Sequence, residues 1–128
     1  MLVNVFAYGT LQAKSVMLAV TGEQYLSKPA MLFGYRRNTI KNRVYPAIIP
    51  DPDSMTEGII YFDIDSTALN ALDDFEDVLY DRVKVTVECG EEKVNAFAYV
   101  ISPKYKNRLS HSDWNLEEFI NNHLDDYL

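Results

Sequence analysis

The chain has 128 residues, 48% hydrophobic and 24% charged, which is typical of one compact globular domain spanning residues 1–128. Twelve Lys and Arg against nineteen Asp and Glu give a net charge of −7, which disfavours nucleic-acid binding because phosphate backbones are repelled. No apolar run approaches the ~20 residues of a membrane span. We therefore expect no membrane partner and a cytoplasmic location.

The scarcity of Cys and His limits the kinds of covalent, metal and catalytic site that the chain can form. Cys89 stands alone, which excludes an intramolecular disulfide, and with only His111 and His123 beside it a closed Cys/His zinc site is not expected. The basic residues of segment 36–43 are expected to form one solvated loop. The catalytic side chains, if the protein is an enzyme, are therefore expected to be carboxylates.

The first half of the chain predicts one helix among several strands. A mostly β-prone run over residues 3–9 predicts a first strand, and residues 13–20 have helical spacing that ends at a Thr-Gly stop. Irregular strands are expected over residues 30–49. Prolines and aspartates over 46–53 indicate turns, and the apolar segment 58–63 predicts a buried strand.

The second half predicts a helix, a hairpin and a C-terminal helix. Asp65-Ser66 offers an N-cap for a helix from Ser66 to about Val78. Strands over 82–88 and 94–101 flank a loop that contains glycine, and residues 114–128 again show helical spacing. Since most strands are joined without helices, the expected fold class is α+β with a mixed, largely antiparallel sheet.

One acid of the helix over 66–78 is directed toward the core boundary. At ~100° per residue, Asp73, Asp74 and Asp77 lie roughly 130° or more from the centre of the apolar face, whereas Glu76 lies about 70° from it. Desolvation there would raise the pKa of the Glu76 carboxyl toward the range of a general base. The alternative is a boundary residue paired with Arg82 or another cation.

A second candidate is the loop Tyr8-Gly9-Thr10-Leu11, which follows the first strand and precedes a helix. Glycine adopts positive φ and permits close approach, so successive N–H groups can point into one concavity suited to a carboxylate or an oxyanion. Thr10 adds a hydroxyl, and Tyr8 adds a ring with a polar tip. The alternative interpretation is an ordinary turn after a strand.

Four short motifs, in this order, resemble the gamma-glutamylcyclotransferase-like family. The Tyr8–Leu11 loop resembles its Tyr-Gly-Ser/Thr-Leu loop, and Tyr45-Pro46 resembles its Tyr-Pro element. Glu57-Gly58-Ile59-Ile60-Tyr61 is similar to its Glu-Gly-x-x-Tyr strand. Leu72-Asp73-Asp74-Phe75-Glu76, followed by Tyr80-Asp81-Arg82, is similar to its acidic element. The resemblance covers residues 3–101.

The resemblance implies a small mixed-strand barrel flanked by helices, and release of 5-oxoproline from a γ-glutamyl amine or γ-glutamyl amino acid. It assigns the catalytic base to Glu76 and substrate binding to Tyr8, Gly9, Thr10 and Leu11. It implies no metal and no organic cofactor. Only three residues separate Glu76 from Tyr80, and nothing after residue 101 matches a motif, so the leaving amine stays open.

Two other functional classes stay open at this point. A binding module could keep the pocket for an amino-acid-like carboxylate without catalysing a reaction. A partner-binding subunit would use the acidic C-terminal segment. A desolvated Glu76 favours the enzyme, because a module that binds only a carboxylate gains nothing from a nearby anion. The sequence leaves the oligomeric state open.

Overall fold

The computed structural model describes residues 1–76 and 78–128, and its centre is a closed five-strand barrel in the order β1-β3-β2-β4-β5, with β3 also pairing with β5. The strands are β1 (Val3–Ala7), β2 (Ser27–Thr39), β3 (Pro46–Ile64), β4 (Tyr80–Cys89) and β5 (Glu92–Ile101). Four of the strand pairs are antiparallel, whereas β5 pairs in parallel with β1 and β3. The predicted α+β class with a mixed, largely antiparallel sheet is confirmed.

Three α-helices and three short 3-10 turns flank the barrel in the described part of the chain. The helices are α1 (Lys14–Thr21), α2 (Ser66–Phe75) and α3 (Leu116–Asn122), and the turns are Thr10–Gln12, Pro103–Arg108 and Leu124–Tyr127. Helix α1 ends where Gly22, at φ 76°, donates its N–H to the Leu18 carbonyl at 2.8 Å. Helix α2 begins where Asp65 accepts the Ala68 N–H at 2.8 Å, so the predicted N-cap is confirmed.

Strand β1 divides the core into two layers because its side chains alternate. Val5 and Ala7 pack with α1 and α2, whereas Phe6 and Tyr8 point into the barrel. This alternation follows from the period of two in a strand. The hairpin of β4 and β5 turns tightly at Gly90-Glu91, as the glycine there predicted. In the described residues, no helix combines the length and apolarity needed to cross a membrane.

The expectation that residues 46–53 form turns that interrupt the strands is wrong. Strand β3 runs through this segment, and its pairing with β2 resumes on the far side of a bulge. Tyr35 pairs with Pro50 and Phe33 with Met55, so two steps along β2 correspond to five along β3. The extra residues fold around the Asp51 carboxylate, which accepts hydrogen bonds from the next residues at 3.2 and 2.8 Å. The local turn is thus a bulge within one continuous strand.

The predicted end of the second helix, at about Val78, is also wrong. Helix α2 ends at Phe75, and Glu76 is extended at φ −72° and ψ 144°, although its N–H still reaches the Leu72 carbonyl at 3.0 Å. Because β4 begins at Tyr80, a helix continuing to 78 would leave almost no chain for the change of direction. Asp77, which was expected on the polar face, lies outside the described residues.

The C-terminal segment is less helical than its spacing predicted. Helix α3 ends at Asn122, and His123 breaks it before the turn Leu124–Tyr127. The break lets the chain fold back, so the ring centroids of Tyr127 and Phe119 lie 5.2 Å apart. Aromatic packing therefore outweighs continued helix in this segment.

Candidate active site

A cavity of about 210 Å³ opens where the end of β1 meets the end of α2. This volume has room for a small organic ligand. The structure brings together here all five residues singled out from the sequence: Tyr8, Gly9, Thr10, Leu11 and Glu76. The other lining residues are Phe6, Ala7, Tyr45, Pro46, Phe75, Tyr80, Tyr99 and Tyr127.

The loop that follows β1 lines part of the cavity and carries unbonded backbone N–H groups. After β1, the chain enters the turn Thr10–Gln12, in which the Gln12 N–H donates to the Gly9 carbonyl at 3.0 Å. Within residues 1–76 and 78–128, no acceptor is hydrogen-bonded to the N–H groups of Gly9, Thr10 or Leu11. Three consecutive donors are therefore available to an anionic oxygen of a ligand.

Gly9 is required by close packing and not by positive φ. Its φ is −124°, so of the two properties of glycine considered from the sequence, positive φ and close approach, the structure uses close approach. A Cβ at this position would lie 3.1 Å from both Cγ and Cδ of Pro46, inside normal carbon–carbon contact. Pro46 is itself held by Tyr80, whose hydroxyl donates to the Pro46 carbonyl at 2.6 Å. The Tyr-Pro element thus packs directly against the loop.

Glu76 also lines the cavity, half-buried, directly after the last residue of α2. Its charge acts on three cavity tyrosines, Tyr8, Tyr99 and Tyr127. In each case burial is the main cause that raises the pKa of the phenol, and the Glu76 carboxylate raises that pKa further. The tyrosines therefore stay protonated around the carboxylate at neutral pH.

Tyr8 and Tyr99 are fixed by hydrogen bonds. The Tyr8 side chain, in a residue only 6% exposed, donates its hydroxyl to the Tyr99 carbonyl at 2.5 Å. The Tyr99 hydroxyl donates to Asp73 at 2.7 Å, and Asp73 forms an ion pair with Arg82 at 2.8 Å. The two phenol groups are thereby held in place, one by the backbone of β5 and the other by Asp73.

Asp73 is the acid whose position the sequence did not reveal. Helical spacing placed it on the solvated face, yet it anchors a tyrosine of the cavity while remaining partly exposed. Nothing in the helix pattern shows that β5 presents Tyr99 beside it. Arg82, considered from sequence as a partner of Glu76, forms its ion pair with Asp73.

Arg37 lies behind the loop, and its expected place in a solvated basic cluster is wrong. Its side chain is only 12% exposed. Nη1 donates to the carbonyls of Tyr8 at 3.0 Å and Glu57 at 3.3 Å, while Nε pairs with Asp113 at 3.2 Å. A doublet of arginines gives no signal of which one turns inward, because the choice depends on the neighbouring strands.

The turn Leu124–Tyr127 supplies the remaining wall. Tyr127 packs edge-on against Phe75, with ring centroids 6.2 Å apart. Since Phe75 directly precedes Glu76, the Tyr127 ring lines the same part of the cavity as Glu76. The sequence indicated only a solvated acidic end here. The presence of Tyr127 in this acidic segment was the single sign in the sequence of a buried contact, and it does not indicate where the ring packs.

The described lining contains one carboxylate, from Glu76, and no Lys or Arg. A ligand carboxylate in this cavity would be held by backbone N–H groups and hydroxyls instead of an ion pair, whereas a ligand ammonium would be attracted to Glu76. In the same part of the chain, no three His, Cys, Asp or Glu side chains are grouped to hold a metal ion.

A family model described as gamma-glutamyl cyclotransferase, AIG2-like, matches residues 5–116. The chain belongs to the AIG2-like gamma-glutamyl cyclotransferase family. Its curated relatives include AIG2-like protein D of Arabidopsis thaliana, 36% identical over 128 residues that cover 98% of this chain and 84% of that protein.

Solved structures share this fold. A solution structure from Arabidopsis thaliana has a TM-score of 0.78 at 29% identity, covering 99% of this chain and 78% of that one. A structure named gamma-glutamyl cyclotransferase has a TM-score of 0.68 at 17% identity, covering 80% of this chain and 68% of that one, which shows a shared fold. The resemblance of the short motifs to this family is confirmed.

Proposed function

We propose that this AIG2-like chain is a cyclotransferase that releases 5-oxoproline from a γ-glutamyl amine or γ-glutamyl amino acid. The α-amine of the substrate attacks its own γ-carbonyl, so a C–N bond forms within a five-membered lactam. The original γ-amide C–N bond then breaks, and the amine leaves with a proton. Because the nucleophile is tethered to its target, proximity supplies much of the acceleration without an enzyme nucleophile.

The observation that carries the proposal is that Glu76 lines the same small cavity as the loop Tyr8–Leu11, whose N–H groups at residues 9–11 have no acceptor within the described residues. Glu76 attracts the α-ammonium and removes the proton that prevents attack. The same carboxyl then delivers a proton to the departing nitrogen. Tyr8 and Tyr99, both protonated and fixed, line the space in which the ring closes.

The loop Tyr8–Leu11 supports the other end of the reaction. Its N–H groups bind an anionic oxygen, which the α-carboxylate and the tetrahedral intermediate both present. Thr10 and Tyr8 add polar atoms near this position. Aromatic side chains form much of the cavity lining, and a less polar surrounding strengthens these hydrogen bonds.

The test is 5-oxoproline release from a panel of γ-glutamyl alkylamides and γ-glutamyl amino acids. Glu76→Gln keeps the size of the side chain but removes the base, so turnover should fall by ~10²–10⁴-fold. Asp74→Asn is the matched control, since Asp74 is exposed on the same helix and does not line the cavity. Thermal unfolding checks that both variants fold.

Two results would contradict the proposal. Equal losses for Glu76→Gln and Asp74→Asn would remove the assignment of the base. Binding of γ-glutamyl compounds without turnover of any panel member would instead identify a ligand-binding module that uses the same cavity.

A further inference from the structure

Arg37 is anchored more firmly than an arginine in a solvated loop. It projects from β2, and its guanidinium is held by the Glu57 carbonyl, by the Asp113 carboxylate and by the Trp114 ring, whose centroid lies 5.7 Å from Cζ. Its remaining contact is the Tyr8 carbonyl, at 3.0 Å from Nη1. The three anchors fix the direction from which this positive charge meets the loop.

The Tyr8 carbonyl and the Gly9 N–H belong to one planar, conjugated peptide group. A charged donor on the carbonyl oxygen fixes the orientation of that plane. It also draws electron density from the nitrogen, so the N–H on the other side becomes a stronger donor. The Gly9 N–H is the first of the three unbonded donors of this loop, whose residues line the cavity.

We propose that Arg37 is a positioning residue for the reaction, acting through the Tyr8–Gly9 peptide, which it orients and polarises toward the substrate. The inference rests on the proposed function, because it gives a role to the Gly9 N–H in that reaction. Arg37 is not among the residues that line the cavity, so any effect on the reaction passes through the peptide group that it holds. It also lowers the pKa of Tyr8, against the larger effect of burial, which shows that its charge reaches the loop.

The geometry distinguishes arginine from lysine at this position. Only a guanidinium offers several N–H groups in a rigid fork that can satisfy Tyr8, Glu57 and Asp113 together. Lysine keeps the charge on one flexible nitrogen. Arg37→Lys is therefore expected to keep part of the effect, and Arg37→Met, which removes every donor, is expected to lose it.

The kinetic test compares Arg37→Met, Arg37→Lys and the control Arg36→Met. Arg36 has a half-exposed side chain paired with Asp51 at 2.9 Å in the bulge of β3. We expect kcat/KM per folded molecule to fall at least tenfold in Arg37→Met, less in Arg37→Lys, and not in Arg36→Met. Added guanidinium ion should restore part of the activity of Arg37→Met and none of that of Glu76→Gln.

A second measurement does not depend on turnover. The chain has five glycines, so the Gly9 amide can be resolved in a nitrogen-15 correlation spectrum. In Arg37→Met, the Gly9 amide proton should move upfield more than that of any other glycine, because its peptide is no longer polarised. Gly90, in the β4–β5 hairpin, serves as the internal control.

The two measurements separate the possible failures. An unchanged Gly9 resonance in Arg37→Met, or normal kcat/KM per folded molecule, overturns the role of Arg37. If the wild-type chain releases no 5-oxoproline from any panel member, the proposed function fails, and with it the positioning role. The Gly9 resonance then still reports whether Arg37 polarises the peptide.

Discussion

Replacing Gly9 with alanine tests the closest contact in the cavity wall. The added Cβ would lie 3.1 Å from two ring carbons of Pro46, roughly 0.4–0.9 Å inside the 3.5–4.0 Å optimum for carbon pairs. The ring is anchored through its own carbonyl, which accepts the Tyr80 hydroxyl at 2.6 Å. The loop is therefore expected to move away from Pro46 and to displace its N–H groups relative to Glu76.

The stability cost follows from two opposing effects. Overpacking of this kind costs about 2 kcal/mol, whereas replacing glycine by alanine restricts the unfolded chain and returns ~0.7 kcal/mol. The net loss is about 1.3 kcal/mol. With an unfolding entropy of ~2.1 cal/mol/K per residue over 128 residues, Tm should fall by about 5 °C.

The effect on turnover should exceed the effect on folding. A displacement of ~1 Å can cost ~10²-fold in rate, so Gly9→Ala should lower turnover of a γ-glutamyl substrate at least tenfold per folded molecule. Thr10→Ser, which retains the hydroxyl, should change it little. Turnover and urea unfolding are measured on the same samples, so that activity is normalised to the folded fraction.

A double-mutant cycle identifies the contact responsible. Pro46→Ala removes Cγ and Cδ, the two atoms that the new Cβ would meet. Gly9→Ala combined with Pro46→Ala should be more stable than the sum of the single changes by ~0.5–2 kcal/mol. Additive losses, or normal turnover by folded Gly9→Ala, would refute the reasoning.

Three further outcomes are expected. In a substrate titration, Tyr127→Ala should raise KM several-fold with the fold retained, because the ring lines the cavity. Tyr127→Phe keeps the ring and should stay near wild type, so equal effects of the two variants would contradict this role. Alkylation of Cys89, which lies at the hairpin and outside the cavity, should leave 5-oxoproline release unchanged, and inactivation would argue against that. Burial raises the pKa of Tyr61 from 10.0 to about 12, so on raising the pH the unfolded chain loses this proton before the folded chain does. The free energy of unfolding should therefore fall between pH 10 and 12, and a constant value in urea titrations would contradict this prediction.

The elements that the sequence predicted well are those fixed by local signals. The N-cap at Asp65 and the stop at Gly22 lie where short-range hydrogen bonds and a left-handed glycine determine the backbone. The site residues Tyr8–Leu11 and Glu76 were also identified from short motifs, and the structure places them in one cavity. Their chemical roles stay predictions.

The features that the sequence did not reveal depend on partners far along the chain. The bulge of β3 is set by its pairing with β2, and no local pattern distinguishes such a bulge from a turn that ends a strand. Arg37 turns inward because Glu57 and Asp113 offer acceptors at sequence separations of 20 and 76 residues. Tyr127 reaches the cavity only because α3 breaks at His123.

The position of Trp114 provides an optical reporter of the cavity. It is the only tryptophan in the chain, it is 5% exposed, and its indole N–H donates to the Val44 carbonyl beside Tyr45 at 2.8 Å. On one side it contacts Arg37, which holds the Tyr8 carbonyl, and on the other Phe119, which contacts Tyr127. Movement of either wall on ligand binding therefore changes the surroundings of one buried fluorophore, and its emission can follow occupancy in real time without a label.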